Sequence, residues 1–155
     1  MLELPVDGWY AWVGIAVVSV AVLATSVSLP LQPPPDAAGA ADTVDAVAGG
    51  EHPATAEHGI AAERLRLSST RISLRNGAGT TTATFLFAPV TPVGEDERLE
   101  RVLRGIPPSS VFANATGFAR AASAARSAES GWQPAPDRLR VRQVHWGETR
   151  VTLVG

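Results

Sequence analysis

Between Asp7 and Asp36 the chain carries no charged side chain. No other feature constrains the chain so strongly, because 21 mainly apolar residues (11–31) are enough for a helix to cross the hydrocarbon core of a bilayer. Ten of the residues from 13 to 31 are Val, Ile or Leu. At their usual insertion energies these favour membrane entry by about 3–6 kcal/mol, a gain reduced by Gly14, Ser19, Thr25, Ser26 and Ser28. Trp9, Tyr10 and Trp12 sit at the start of the run, where amphipathic rings prefer the headgroup layer. Pro33, Pro34 and Pro35 stop the helix beyond its end. A cleaved signal peptide should open with positive charge and end on a small-residue cleavage site. The sequence "MLELPVD" carries Glu3 and Asp7 and no Arg or Lys, and no clear cleavage pattern precedes Pro30. A buried core helix is the third reading, but the run is long for so small a domain. The residues favour a permanent anchor, a transmembrane helix over residues 8–32.

The first arginine is Arg64, too far from the run to orient it by the positive-inside rule. With a tail of only residues 1–7 in front, the expected orientation has the N-terminus inside and the C-terminal domain extracellular, at the cell membrane. Within the run Gly14, Ala21, Thr25 and Ser28 form a small-residue stripe of the kind that lets helices approach closely in lipid.

About 120 residues follow, enough for one domain with a single core. The organisation expected is a proline break, a short helix and a linker over residues 33–63, then an α+β domain over residues 64–155. Asp36 is placed to cap the helix, with Ala37, Ala40, Ala41, Val44, Val47 and Ala48 on its apolar side and Asp42 and Asp45 opposite. "EHPATAEHGIAAE" reads as linker. Apolar residues then alternate with Arg, Ser or Thr around Leu65–Leu67, Ile72–Leu74 and Ala83–Phe87, the period of half-buried strands, with "NGAG" as a hairpin turn. "EDERLERVLRG" is a helix with acids in its first turn and Arg104 in its last, supported by the i,i+4 pairs Glu97–Arg101 and Glu100–Arg104. Its expected core residues are Leu99, Val102, Leu103 and Ile106. "TGFARAASAARSAES" is a second helix, and "RLRVRQVHW" with "TRVTLV" form a terminal hairpin, clamped by Trp132 and Trp146. The expectation is an antiparallel sheet of about five strands with helices packed on one face.

Charge and composition exclude more chemistry than they suggest. Net charge is -2, so no basic field calls for nucleic acid. Cys is absent, which removes disulfides and thiolate metal sites. All 13 basic residues are Arg, so lysine-dependent P-loops and Schiff-base chemistry are excluded. His52, His58 and His145 have no metal-ligand spacing, and the nucleophile-elbow, dinucleotide and zincin motifs do not occur. No enzyme, cofactor or metal is expected. Two features point to surfaces instead. Arg64, Arg66, Arg71, Arg75, Arg138, Arg140 and Arg142, with Arg150, lie on strands and suggest an Arg-lined sheet face for an anionic partner, set against a solvated face paired to the chain's own acids. "NAT" at Asn114–Thr116 is an N-glycosylation acceptor pattern, with helix capping by Asn114 or Thr116 as the alternative.

The stretches "PVDGWYAWVG", "PPPDAAGAADTVDAVA", "EHPATAEH", "FAPVTPV", "RVLRGIPPSSVF" and "VTLVG" together resemble a haloarchaeal family of small single-pass membrane proteins of unknown function. The resemblance implies an accessory component of type IV pilus-like secretion machinery, and lends no catalytic residue. A pilin itself is disfavoured: "MLELPVD" lacks a basic leader, and the triple proline breaks the long helix a pilin needs. The expected role is a non-enzymatic envelope protein acting through contacts with other membrane or envelope proteins. The alternative is an anchored binding or sensing module using the Arg face.

Overall fold

A computed structural model of the chain describes residues 12–20 and 32–155. Residues 1–33 and 34–155 form two separate compact units. In the first, residues 12–20 are helical (α1), with Ile15, Val17, Val18 and Val20 exposed and open space around Gly14. The rest of the expected 8–32 span, and Ala21, Thr25 and Ser28 of its stripe, lie outside the described residues. Among the described residues no helix is long and apolar enough to cross a membrane.

The second unit starts at Pro34, so residues 34–63 are part of the domain expected from residue 64. Its elements in order are α2 (Ala37–Ala48), β1 (Thr55–Gly59), β2 (Arg64–Leu67), β3 (Arg71–Asn76), β4 (Gly79–Thr84), β5 (Thr91–Pro92), α3 (Glu97–Leu103), a 3-10 turn (Pro108–Ser110), α4 (Ala115–Ser127), β6 (Gln133–Pro134), β7 (Arg138–Trp146) and β8 (Thr149–Val154). This is an α+β fold, as the pattern predicts, but its strands divide into two four-stranded sheets. Sheet A has the order β1-β7-β8-β5 and sheet B the order β4-β3-β2-β6. All pairs are antiparallel except β5 with β8.

The burial pattern of the β7–β8 hairpin explains the layering. On β8, Val151, Thr152, Leu153 and Val154 are buried in succession, so both faces of the strand are covered. One face presents Leu139, Val141 and Val154 to a cluster with Ala40, Ala41 and Val44 of α2 and with Leu65, Leu67, Ile72 and Leu74 of sheet B. The other presents Val144, Val151 and Leu153 to Leu99, Val102 and Leu103 of α3 and Phe118 and Ala122 of α4. Helices therefore pack on both faces of sheet A, not on one, and α2 packs against strands of both sheets.

Three further differences from expectation have local causes. The "linker" contains β1, which pairs residue for residue with β7, from Thr55 opposite Arg142 to Gly59 opposite Arg138. Its inward residues are Ala56 and His58, too little apolar alternation to mark a strand. The third expected strand stops at Thr84, so that Phe85 is buried while Leu86 and Phe87 are exposed. Ile106, expected in the core, is 43% exposed, because Gly105 turns the chain with a φ of 117° before it.

The α2 helix begins as predicted, with the Gly39 amide donating to Asp36 Oδ1 at 2.8 Å. Asp45 reverses its prediction: it is buried rather than on the polar side. Its carboxylate accepts from the amides of Leu86 (2.9 Å) and Phe87 (3.1 Å) and so ties the β4–β5 turn to α2. Charge-assisted bonds of this kind are worth about 1.5–3 kcal/mol each, part of which returns when exposed amides are rehydrated. Asp45→Ala should therefore lower the urea stability of residues 34–155 by about 1–3 kcal/mol, whereas Asp42→Ala on the exposed side of the same helix should move it by less than about 0.5 kcal/mol.

Candidate functional site

The eight strand arginines do not share a face. Along β2 and β3 the core side chains are Leu65, Leu67, Ile72 and Leu74, so Arg64, Arg66, Arg71 and Arg75 stand on the outer face of sheet B. Along β7 the residues Arg138, Arg140 and Arg142 stand on the face of sheet A turned toward α3 and α4, two residues apart in register with Val144. The single Arg-lined face is therefore corrected to two separate sets, with Arg150 of β8 on the other face of sheet A from the β7 set. The cause is topological: β7 pairs with β1 and β8, and never with β2 or β3.

The β7 set is used internally. Glu57 on β1 accepts from Arg140 Nε at 2.9 Å and Nη2 at 2.6 Å, and from Arg138 Nη1 at 3.2 Å. These bonds, first from Arg140 and then from Arg138, hold the Glu57 carboxyl below its ordinary pKa. Arg142 donates to the carbonyls of Val102 and Ile106, closing the C-terminal end of α3. Arg150, on β8, donates to His145 Nε2 at 3.0 Å and to the Glu51 carbonyl at 3.2 Å. Arg126, expected in no site, leaves α4 to bond Thr91 Oγ1 at 2.8 Å, and its burial lowers its pKa.

The sheet B set is different in kind. Register places Arg64 opposite Arg75, Arg66 opposite Ser73 and Arg71 opposite Thr84. The remaining outward positions of β4 are Thr80 and Thr82, and Ser73 Oγ lies 2.9 Å from Thr82 Oγ1. Every outward position of β2, β3 and β4 is thus Arg, Ser or Thr, and none is acidic. Like charges directly opposite one another cost stability unless something lies between them. Here the segment before β6 does so: Arg64 Nη2 donates to the Trp132 carbonyl at 2.9 Å, Arg66 Nε to the Ser130 carbonyl at 2.9 Å, and the Arg75 guanidinium lies 5.6 Å from the Trp132 ring centre. Arg71 makes no hydrogen bond or ion pair through its guanidinium among the described residues. Trp132 therefore organises this face instead of clamping the terminal hairpin. Trp146 does reach from that hairpin to Phe118 of α4, with 6.3 Å between ring centres.

Two more surface features complete the inventory. Leu86 is 85% and Phe87 54% exposed, yet both amides are fixed by Asp45 and the Phe87 ring closes against Gly49, where a Cβ would come within 2.8 Å of it. Asn114 caps α4, accepting from the Gly117 amide at 2.8 Å, so the capping alternative for this residue is realised. Among the described residues no group of His, Cys, Asp and Glu is arranged to hold a metal ion. His58 Nδ1 lies 3.1 Å from Thr43 Oγ1, and His145 is engaged by Arg150.

Sequence patterning reached the arginines but not their partners. Neither Glu57 nor Asp45 carries a local signal, since each is defined by residues about 80 and 40 positions away. A group with a depressed folded pKa contributes stability above its unfolded pKa and loses it as pH falls through the folded value. Acidification from the ordinary glutamate value of 4.5 downward should thus weaken residues 34–155 in part through Glu57. Glu57→Gln should flatten that portion of the stability–pH curve, measured by urea unfolding at successive pH values, and leave the curve above pH 6 parallel to the parent's.

A family model described as "Family of unknown function (DUF7283)" matches residues 3–144. No curated protein and no solved structure matches the chain.

Proposed function

The chain belongs to the DUF7283 family of unknown function, and on that premise we propose that it is a membrane-anchored envelope protein whose α+β domain works by contact with other proteins. The observation that carries the reading is the join between the apolar run and the domain. Pro35 is buried, and its carbonyl accepts from Thr81 Oγ1 at 2.6 Å. The folded unit is therefore fixed to within four residues of Leu31, the last apolar residue of the uncharged run. Few residues of chain therefore separate the apolar run from the folded unit. Exposure of Ile15, Val17, Val18 and Val20 on α1 agrees with burial in lipid. We take the domain to lie outside the cell; no arginine lies close enough to the run to orient it by charge. The haloarchaeal setting and an accessory role in a pilus-like secretion assembly rest on the motif resemblance.

Protease access to a C-terminal tag tests this in one experiment. The expected result is membrane-pelleted protein, resistant to carbonate extraction, whose tag is digested in intact cells. Recovery in the soluble fraction would remove the anchor, and protection until lysis would reverse the orientation. Association of the span is tested separately: Gly14→Leu with Ala21→Leu should reduce co-purification of membrane partners several-fold.

A second reading is favoured by one observation, the segregation of charge on sheet B. A chain with 15 acids and 13 arginines places four arginines on one sheet face with no acid among its outward neighbours. Such a face suits an anionic partner recognised by bidentate contacts. Arg71→Gln with Arg75→Gln should weaken retention on an immobilised polyglutamate matrix at least tenfold at low salt. Arg138→Gln with Arg140→Gln, which removes charges already paired to Glu57, should change it less than twofold.

A further inference from the structure

Asn114 caps α4 through one atom of its amide and leaves the other unused. The oxygen Oδ1 accepts from Gly117, while Nδ2 makes no hydrogen bond among the described residues. N-glycosyl transfer needs the nitrogen and not the oxygen. It also needs a hydroxyl two residues on, which Thr116 supplies, and a residue other than proline between, which is Ala115. Capping by itself would be served equally by Asp or Ser. Asn at the cap with a hydroxyl residue two positions later satisfies both uses.

The surroundings are open. Asn114 and Thr116 are both exposed, and both border a surface concavity of about 720 Å³ that they share with Arg98, Phe112 and Arg120. The Asn114 backbone is extended (φ -159°, ψ 166°), and its side chain turns back to the Gly117 amide through Oδ1. The α4 face that must stay covered is elsewhere, at Phe118 and Ala122, both fully buried. A bulky hydrophilic group on Nδ2 would displace none of these contacts and would leave the cap bond in place.

We propose that Asn114 is a glycan attachment site that remains the N-cap of α4 after modification. In the step, Nδ2 forms a bond to the anomeric carbon of a sugar carried on a lipid-linked phosphate donor. The bond from that carbon to the phosphate oxygen breaks, the lipid phosphate leaves with the electron pair, and one Nδ2 proton passes to a base of the transferring enzyme. No redox partner is required. The inference rests on the external placement of the domain proposed above.

The test is the intact mass of the full-length tagged protein purified from its native host, alongside protease access to the tag in the same cells. Four chains are compared: the parent, Asn114→Asp, Thr116→Ala and Thr116→Ser. Asn114→Asp keeps a capping oxygen but has no acceptor nitrogen, and Thr116→Ala leaves the cap untouched. Both should fall to the polypeptide mass while staying folded by circular dichroism. The parent should carry a discrete mass increment, and Thr116→Ser should retain it. A parent at the bare polypeptide mass overturns the proposal, as does an increment that survives in Asn114→Asp and Thr116→Ala. Where the bare mass coincides with a digestible tag, the domain is external and only the site is refuted. Where it coincides with a protected tag, the external placement falls and the site falls with it.

Discussion

Over Val151–Val154 the strand β8 is buried on both faces, and most of the domain follows from that requirement. A strand whose successive residues are all apolar or tightly enclosed cannot sit at the surface of a two-layer fold. One side of the hairpin is closed by α3 and α4. The other is closed by α2 and by sheet B, which brings the N-terminal residues of the domain into contact with its last strand. Residues 34–59 therefore supply a helix to the core and an edge strand to sheet A, and do not act as a spacer. The C-terminus itself is held in the ladder, where Arg140 and Gly155 exchange amide bonds of 2.7 and 3.0 Å.

Polar side chains complete what apolar packing begins. Asp45 joins α2 to the turn after β4, Arg142 joins β7 to the end of α3, and Arg126 joins α4 to β5. Gln143 reaches from β7 to the Ala48 carbonyl at the end of α2, at 3.0 Å. Each of these bonds crosses between layers, so each resists sliding of one layer over another, which apolar contact alone resists weakly. Arginine suits this work because its planar fork can meet a carbonyl and still keep donors for a second partner. In a chain without lysine, arginine supplies both the struts and the surface charge. Sheet A carries the ion pairs to Glu57 and the Arg142 strut, whereas on sheet B Arg64 and Arg66 brace the segment before β6 within an acid-free array.

Such a division bears on function. A face whose charges are already satisfied offers little to a partner, since binding must first break the internal bonds. The β7 arginines are of that kind. On sheet B, Arg64 and Arg66 spend single donors on the carbonyls of Trp132 and Ser130, and Arg71 and Arg75 make no hydrogen bond through their guanidinium groups among the described residues. Leu86 and Phe87 are exposed on a turn whose amides Asp45 holds.

Much of this was legible in the residues. The uncharged run, the cap at Asp36, the β3–β4 and β7–β8 hairpins and the amphipathic α3 all follow from periodicity and capping chemistry, which act over a few residues. Tertiary structure decided what depends on distant pairing. The strand β1 exists because β7 offers it an edge, not because "TAEHG" alternates. The strands β5 and β6, two residues each, are defined only by their neighbours. Asp45 turns inward because two amides 41 and 42 residues away need an acceptor. The arginines were visible as a pattern of alternation, which says that they face away from apolar residues but not which sheet they stand on. Period two fixes a side of a strand; only the order of strands in space decides which sides become one face.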